Sequence, residues 1–217
     1  MSISFPLSIN QFWTTFPMLD GSSEMELVGY RQQSMDGAGN AISAKFGQPK
    51  WRQEVLVAPM YFETANLFRA MMKVLGQRDG AFLAYDRWQP FPAYDPRGQV
   101  IGGFTPSVKT VGSDNRSLSL KGLPAHYKLS AGEKISVADG SGKHALLELM
   151  EDTEANGSVN TPEFEVQPFL PAWIAVDQGV DISKPLGKFK IVAGSYKPAT
   201  VEGNRAVNAS FAMISVS

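Results

Sequence analysis

One stretch of this chain has the pattern of an amphipathic helix, and it lies within a sequence otherwise made of short strand-like segments and turns. Residues 60–82 read MYFETANLFRAMMKVLGQRDGAF, with apolar side chains at three- and four-residue spacing. This spacing predicts a helix of about four turns with one apolar face. Gly76 stands where a residue in the left-handed conformation would end the helix. The apolar face comprises Leu67, Phe68, Met71, Val74 and Leu75.

The sequence around the helix predicts β-strands joined by glycine-rich turns. Trp51–Ala58 alternates, so that Trp51, Gln53, Val55 and Val57 share one side, as in a half-buried strand. The glycine-rich turn Asp36–Asn40 predicts a hairpin between Glu24–Met35 and Asn40–Gly47. Further strands are predicted at Ser2–Ile9, Gly80–Asp86, Lys188–Ala193 and Ala206–Val216.

A proline-rich stretch, Arg87–Gly103, interrupts this pattern and reads as a linker or a long surface loop. The segment after it contains many short strand candidates with glycines between them, which predicts a small barrel or sandwich. Leu170–Pro185 again reads as a loop. The short strands are predicted at Ser107–Val111, Ser117–Lys121, Glu133–Ala138, Lys143–Met150 and Phe164–Gln167.

Charge divides the chain in the same places. Residues 101–181 carry 6 basic and 11 acidic side chains, whereas residues 182–217 carry 5 basic and 1 acidic. We therefore predict that residues 101–181 form a compact insertion, and that residues 1–100 and 182–217 together close one sheet. A phosphate backbone needs clustered cations, so the acidic middle segment argues against nucleic-acid binding.

Composition removes several classes of site. The chain has no cysteine, which excludes disulfides, thiolate metal sites and a cysteine nucleophile. No apolar run approaches the roughly 18 residues that cross a membrane, so we expect no membrane anchor. The start of the chain lacks a basic segment followed by an apolar core, so we expect no secretory signal.

The residues that could carry chemistry form no recognisable pattern. His126 and His144 each lack a second histidine at ligand spacing. Ser141 lies between two glycines but has no helix after it, unlike a nucleophile elbow. The acidic residues Glu148, Glu151, Asp152 and Glu154 do not match a calcium-binding loop. We therefore predict no catalytic, cofactor-binding or metal-binding residue, and no enzyme. A hydrolase with a carboxylate pair that sequence cannot reveal is an alternative.

The aromatic residues offer a binding function of another kind. The irregular loop Trp88–Tyr94 is the best candidate, because exposed aromatic loops are typical of binding surfaces. We expect a protein interface there, or else a carbohydrate platform, whereas Trp51 and Tyr85 are expected in the core. The aromatics considered are Trp13, Trp51, Trp88, Trp173, Tyr61, Tyr85, Tyr94 and Phe91.

Four segments, in order, resemble the distal tail proteins of long, non-contractile-tailed bacteriophages. The first runs from strand Trp51–Val57 through the helix to the turn and aromatic strand of Gly76–Phe82. The others are Asp95–Gly98, similar to a hinge, Leu147–Ser158, similar to an acidic turn, and Pro185–Phe189, similar to a closing segment. Asp79 within the turn and the aromatic loop Arg87–Tyr94 depart from the family pattern.

The resemblance implies a mainly β, two-domain protein. Residues 1–100 and 182–217 would form a β-sandwich with one flanking helix, and residues 101–181 an inserted OB-like β-barrel. It implies a structural virion protein, made in the host cytoplasm and located at the distal end of the tail. The chain would form a homo-oligomeric ring, expected to be a hexamer, between the tail tube protein and the tail-tip hub and fibre proteins. DNA would only pass through its lumen. The alternative is a carbohydrate-binding β module.

Overall fold

The computed structural model describes residues 4–18, 23–29, 31–35, 37, 39–45 and 47–216. The protein is mainly β, with 38% strand and 9% helix, and it combines a β-sandwich part with a small barrel as expected. Its α-helix, α1, spans Phe62–Gln77. The strands are β1 (Glu26–Val28), β2 (Arg31–Met35), β3 (Ala41–Lys45), β4 (Lys50–Leu56), β5 (Ala81–Ala84), β6 (Ser107–Val111), β7 (Ser117–Lys121), β8 (Lys128–Leu129), β9 (Lys134–Ala138), β10 (His144–Leu149), β11 (Thr153–Glu154), β12 (Phe164–Gln167), β13 (Val180–Asp181), β14 (Gly187–Ile191), β15 (Thr200–Glu202), β16 (Arg205–Val207) and β17 (Ser210–Ser215).

The sandwich part is built on a five-stranded antiparallel sheet with strand order β1-β4-β17-β14-β5. The strand nearest the end of the chain, β17, lies at the centre, paired with β4 on one side and β14 on the other. Helix α1 and the segment Leu7–Met18 cover the inner face of this sheet. Aromatic rings from the three elements pack together there: the ring centroid of Phe12 lies 6.3 Å from that of Phe68 in α1 and 6.1 Å from that of Phe211 in β17.

The second sheet has six strands in the order β13-β9-β10-β12-β7-β6 and forms a nearly closed barrel. Closure is made by a bridge between Ser107 and Gly179, and Val108 N–H donates to the Gln178 carbonyl at 2.9 Å. This barrel encloses its own core of aliphatic side chains. The barrel has six strands, one more than an OB-fold barrel. The division into domains at residues 1–100, 101–181 and 182–217 stays a prediction, and the two sheets draw their strands from those respective ranges.

The helix is where it was predicted, but its buried face matches the prediction only in part and its end does not match it. Phe68, Met72 and Leu75 are buried, whereas Leu67 is 53% exposed. The helix also continues through Gly76, and Asp79 adopts the left-handed conformation instead, with φ 49°. Gly80 N–H then donates to the Leu75 carbonyl at 2.9 Å, which satisfies a carbonyl of the last turn. The predicted cap at Gly76 is therefore wrong.

Three predicted strands differ from the observed ones. In Ser2–Ile9, of which Ser2 and Ile3 lie outside the described residues, only Leu7 forms a bridge, to Phe82. The single strand predicted at Glu24–Met35 is divided into β1 and β2. The predicted strand Ala206–Val216 is broken between β16 and β17, because Asn208 adopts φ 63°, a conformation that asparagine tolerates better than most residues.

Candidate interaction surfaces

The hairpin formed by β2 and β3, hereafter the ribbon, is a two-stranded sheet that pairs with no other described strand. Every side chain described in these two strands is exposed, including Met35 at 79% and Ile42 at 56%. Ser34 pairs with Ile42 and Met35 with Ala41, so Met35 and Ile42 lie on opposite faces. The described side chains of the ribbon thus form no core face.

The ribbon has basic residues only at its outer ends, Arg31 and Lys45, and little other protection of its free strand edges. Natural edge strands carry lysine or proline, which discourage pairing with another chain. Residues 32–44 contain no lysine, arginine or proline, and a single acidic residue, Asp36. An isolated two-stranded hairpin is at best marginally stable in water. Because the ribbon has two unpaired strand edges and two solvent-exposed faces, we expect it to gain stability by packing against a partner.

The two sheets are joined by a buried contact. Lys134 of β9 and Asp86, which follows β5, form an ion pair at 3.0 Å with side-chain exposures of 5% and 1%. The ammonium of Lys134 lies 5.4 Å from the ring centroid of Trp51 in β4. The indole N–H of Trp51 donates to the Leu146 carbonyl of β10 at 2.8 Å. These contacts hold the barrel against the sandwich sheet.

The loop Arg87–Gly103 contains no strand, as predicted, and two buried carboxylates order it. Asp95, 3% exposed, accepts from the N–H groups of Gln99 at 2.9 Å and Ile101 at 3.0 Å. Glu133, 2% exposed, accepts from Ala93 N–H at 2.7 Å. The loop nevertheless displays aromatic rings: Trp88 is 67% exposed and Tyr94 is 49% exposed.

The other aromatic candidates are scattered. Trp13 and Tyr85 contact each other in the sandwich core, with ring centroids 6.4 Å apart, and Trp51 is buried as well. The prediction that Trp51 and Tyr85 belong to the core is confirmed. The Nζ atom of Lys184 lies 5.7 Å from the ring centroid of Tyr85 and 5.6 Å from that of Phe91. The structure therefore does not assemble the eight aromatics into one platform.

The two histidines lie in different settings. The Nδ1 atom of exposed His126 lies 3.0 Å from Glu154 Oε1. His144, at the start of β10, is half-buried, and burial lowers its pKa, which the nearby carboxylates Asp181 and Asp139 oppose. Its Nδ1 is buried and has no hydrogen-bond partner within the protein.

The acidic residues and Ser141 each have a local role. Glu151 accepts from Glu165 N–H and Asp152 from Ala131 N–H, both at 2.8 Å, so these carboxylates order separate loop backbones. Ser141 lies in the turn between β9 and β10, where Asp139 accepts from its N–H and hydroxyl. The Ser141 hydroxyl lowers the pKa of Asp139 to about 2.

Within the described ranges, no three His, Asp or Glu side chains are arranged to hold a metal ion. No helix in the described part of the chain combines the length and the apolar character needed to cross a bilayer. The chain matches no family model, and a search of curated proteins finds no match either. The surfaces that remain as candidates are the ribbon and the aromatic loop.

Proposed function

We propose that this chain is a structural ring protein, a distal tail adaptor of a long-tailed bacteriophage. The observation that carries the proposal is the ribbon, because its open edges and exposed faces suit a neighbouring copy of the same chain. A head-to-tail contact repeated around an axis closes a ring without any catalytic group. The order of the four segments that resemble distal tail proteins supplies the biological setting.

In this role the two parts of the molecule divide the work. The sandwich, with its ribbon, forms the ring and contacts the tail tube protein. The barrel, attached through the loop Arg87–Gly103, faces the tail-tip hub and fibre proteins. DNA passes through the lumen without specific contacts. Surface charge pairs contribute only about 0–1 kcal/mol each, so apolar burial supplies most of the assembly energy.

Mass photometry of the purified chain tests this proposal. Six copies of a 23.6 kDa chain give a particle of about 142 kDa. Replacing residues 32–44 by a two-residue Asn-Gly turn is expected to leave folded monomers, because it removes both strands of the ribbon. The control exchanges Leu67 and Val176, exposed at 53% and 52% but outside the ribbon, for glutamine. A monomeric parent chain, or rings that persist without the ribbon, would contradict the proposal.

A second candidate function rests on the aromatic loop. The exposed rings of Trp88 and Tyr94 favour a carbohydrate-binding role, since sugars stack on aromatic faces in many β folds. A glycan array tests it: binding that Trp88→Ala abolishes supports the candidate, and an array without signal excludes it for those glycans. The two functions are compatible, because the loop and the ribbon are separate surfaces.

A further inference from the structure

A cavity of about 430 Å³ lies where the sandwich sheet meets the barrel. The sandwich contributes the starts of β4 and β14 and the end of β17, and the barrel contributes the start of β10 and residues 168–173 after β12. Sites for small molecules typically measure roughly 300–1,000 Å³. The cavity is distinct from the ribbon and from the loop Arg87–Gly103, so neither candidate function uses it.

The lining of the cavity is mostly apolar. Its buried part includes Trp51, Leu146 and Leu147, exposed by 2%, 4% and 0%. Two half-buried aromatic side chains, Phe169 and Trp173, belong to the loop after β12. A lining of this kind favours a ligand with a flat apolar body, because burying such a body removes apolar surface from water.

The charged side chains that line the cavity are both lysines, whereas the carboxylates Asp139 and Asp181 lie near His144 outside the lining. Lys50 and Lys188 line it, and none of the described lining residues carries a carboxylate. Asn115, Gln48 and Ser215 contribute neutral polar groups. Cations beside an apolar cavity strengthen the attraction for an anion, because the low-dielectric surroundings screen the charges poorly.

His144 adds an unsatisfied polar atom to the same wall. Its Nδ1 is buried without a hydrogen-bond partner in the protein. Buried polar atoms are almost always paired, so an orphan in a cavity wall indicates a partner from outside the chain. Because burial favours the neutral imidazole, a ligand oxygen can receive a hydrogen bond from one tautomer.

We propose that this cavity binds a small organic anion, a carboxylate carried on a flat apolar body. The body lies against Phe169, Trp173 and the leucines, and the carboxylate faces the lysines and His144. This inference does not depend on ring formation, since all of the lining residues described belong to one copy of the chain.

Thermal shift and calorimetric titration with 2-naphthoate test the proposal. We expect 2-naphthoate to raise the melting temperature with concentration, as a ligand of the native state does. The neutral 2-naphthamide has the same body without the charge and is expected to bind at least tenfold more weakly. Glucuronate, a carboxylated sugar, provides a comparison for an acidic but polar body and is expected to bind weakly.

Lysine variants show where the probe binds. Lys50 is exposed, so Lys50→Glu is expected to fold as the parent does and to weaken 2-naphthoate binding at least tenfold. Lys197→Glu makes the same charge change at an exposed position outside the cavity lining and is the matched control. No binding of 2-naphthoate, equal binding of the amide, tighter binding of glucuronate, or equal loss in the two variants would each overturn the proposal.

Discussion

The two hydrophobic cores of this protein differ in how the chain supplies them. The barrel core comes from one continuous stretch, Ile101–Ile182, and is mostly aliphatic. The sandwich core combines residues on both sides of that stretch, from Leu7–Tyr85 and from Phe189–Met213, with one barrel residue, Leu146 of β10, and many of its members are aromatic. The barrel therefore builds its core from one continuous segment, whereas the sandwich core also requires β14 and β17, which follow the barrel in the sequence.

The difference has a physical consequence for cooperativity. Phe211 of the central strand β17 lies within 6.4 Å of the rings of Phe12, Phe68 and Phe82, which come from three different segments. A change at this centre affects all of them together. The barrel is coupled to this network through buried groups that include Asp86, Lys134, Trp51 and Leu146.

Phe211→Ala is expected to produce the largest difference in stability loss between the sandwich and the barrel. Removing this ring, which is 2% exposed, should destabilise the sandwich by about 3–5 kcal/mol. Hydrogen exchange measured by mass spectrometry should show lost protection in β4, β14 and β17, while the barrel strands stay protected. Equal loss of protection in both regions would mean that the barrel does not fold independently.

Asp86→Ala tests the link between the regions. Removing Asp86 deprives the buried ammonium of Lys134 of the carboxylate that it contacts, and should cost about 3–5 kcal/mol. Asp79→Asn is the control, because Asp79 pairs with Lys190 but is 82% exposed, and asparagine tolerates the φ of 49° at this position; it should cost at most about 1 kcal/mol. Similar urea midpoints for the two variants would contradict the role assigned to the buried pair.

Leu118→Ala is the converse of the first substitution. Leu118 of β7 is fully buried in the barrel core, so its truncation should cost about 2–5 kcal/mol. In the same exchange experiment, β7, β10 and β12 should lose protection and the sandwich strands should keep theirs. If the sandwich strands lost protection before the barrel strands, the sandwich would depend on the barrel for its stability, which contradicts the independence expected here.

The smallest effect is expected from Glu148→Gln, at the border of the two regions. Burial raises the pKa of Glu148; Glu24 and Asp86 add to this, and Lys134 opposes it. Because the pKa of this carboxyl is higher in the folded state than the 4.5 of the unfolded state, the protein loses stability as the pH rises from 4.5 through the folded-state pKa. The variant should therefore be more stable than the parent at pH 7, by less than about 1 kcal/mol, because Glu148 is only half-buried. Urea titrations at pH 4 and pH 7 check this, and a less stable variant at pH 7 contradicts it.

The sequence predicts strands best where alternation is long and undisturbed. In β4 and the residue that follows it, Trp51, Gln53, Val55 and Val57 are buried as the alternation indicates. Two-residue strands such as β8, β11 and β13 leave no readable period, and they depend on tertiary pairing. The helix shows a further limit: the spacing predicts Leu67 on the apolar face and leaves out Met72, whereas the structure buries Met72 and exposes Leu67.

The candidate surfaces also differ in how far the sequence predicts them. The turn at residues 36–40 predicts the ribbon as a hairpin, but the exposure of the described ribbon side chains depends on the absence of a packing partner in the described fold. The cavity could not be predicted, because Lys50, His144 and Trp173 are far apart in sequence and meet only where the two sheets join.

Negative-stain electron microscopy of the purified full chain tests most directly whether this chain is a ring-forming structural protein. We expect closed rings, with class averages of six subunits, that disappear when residues 32–44 of the ribbon are replaced by a short turn. Single particles of the parent chain at micromolar concentration, or rings that form equally well without the ribbon, would contradict this expectation.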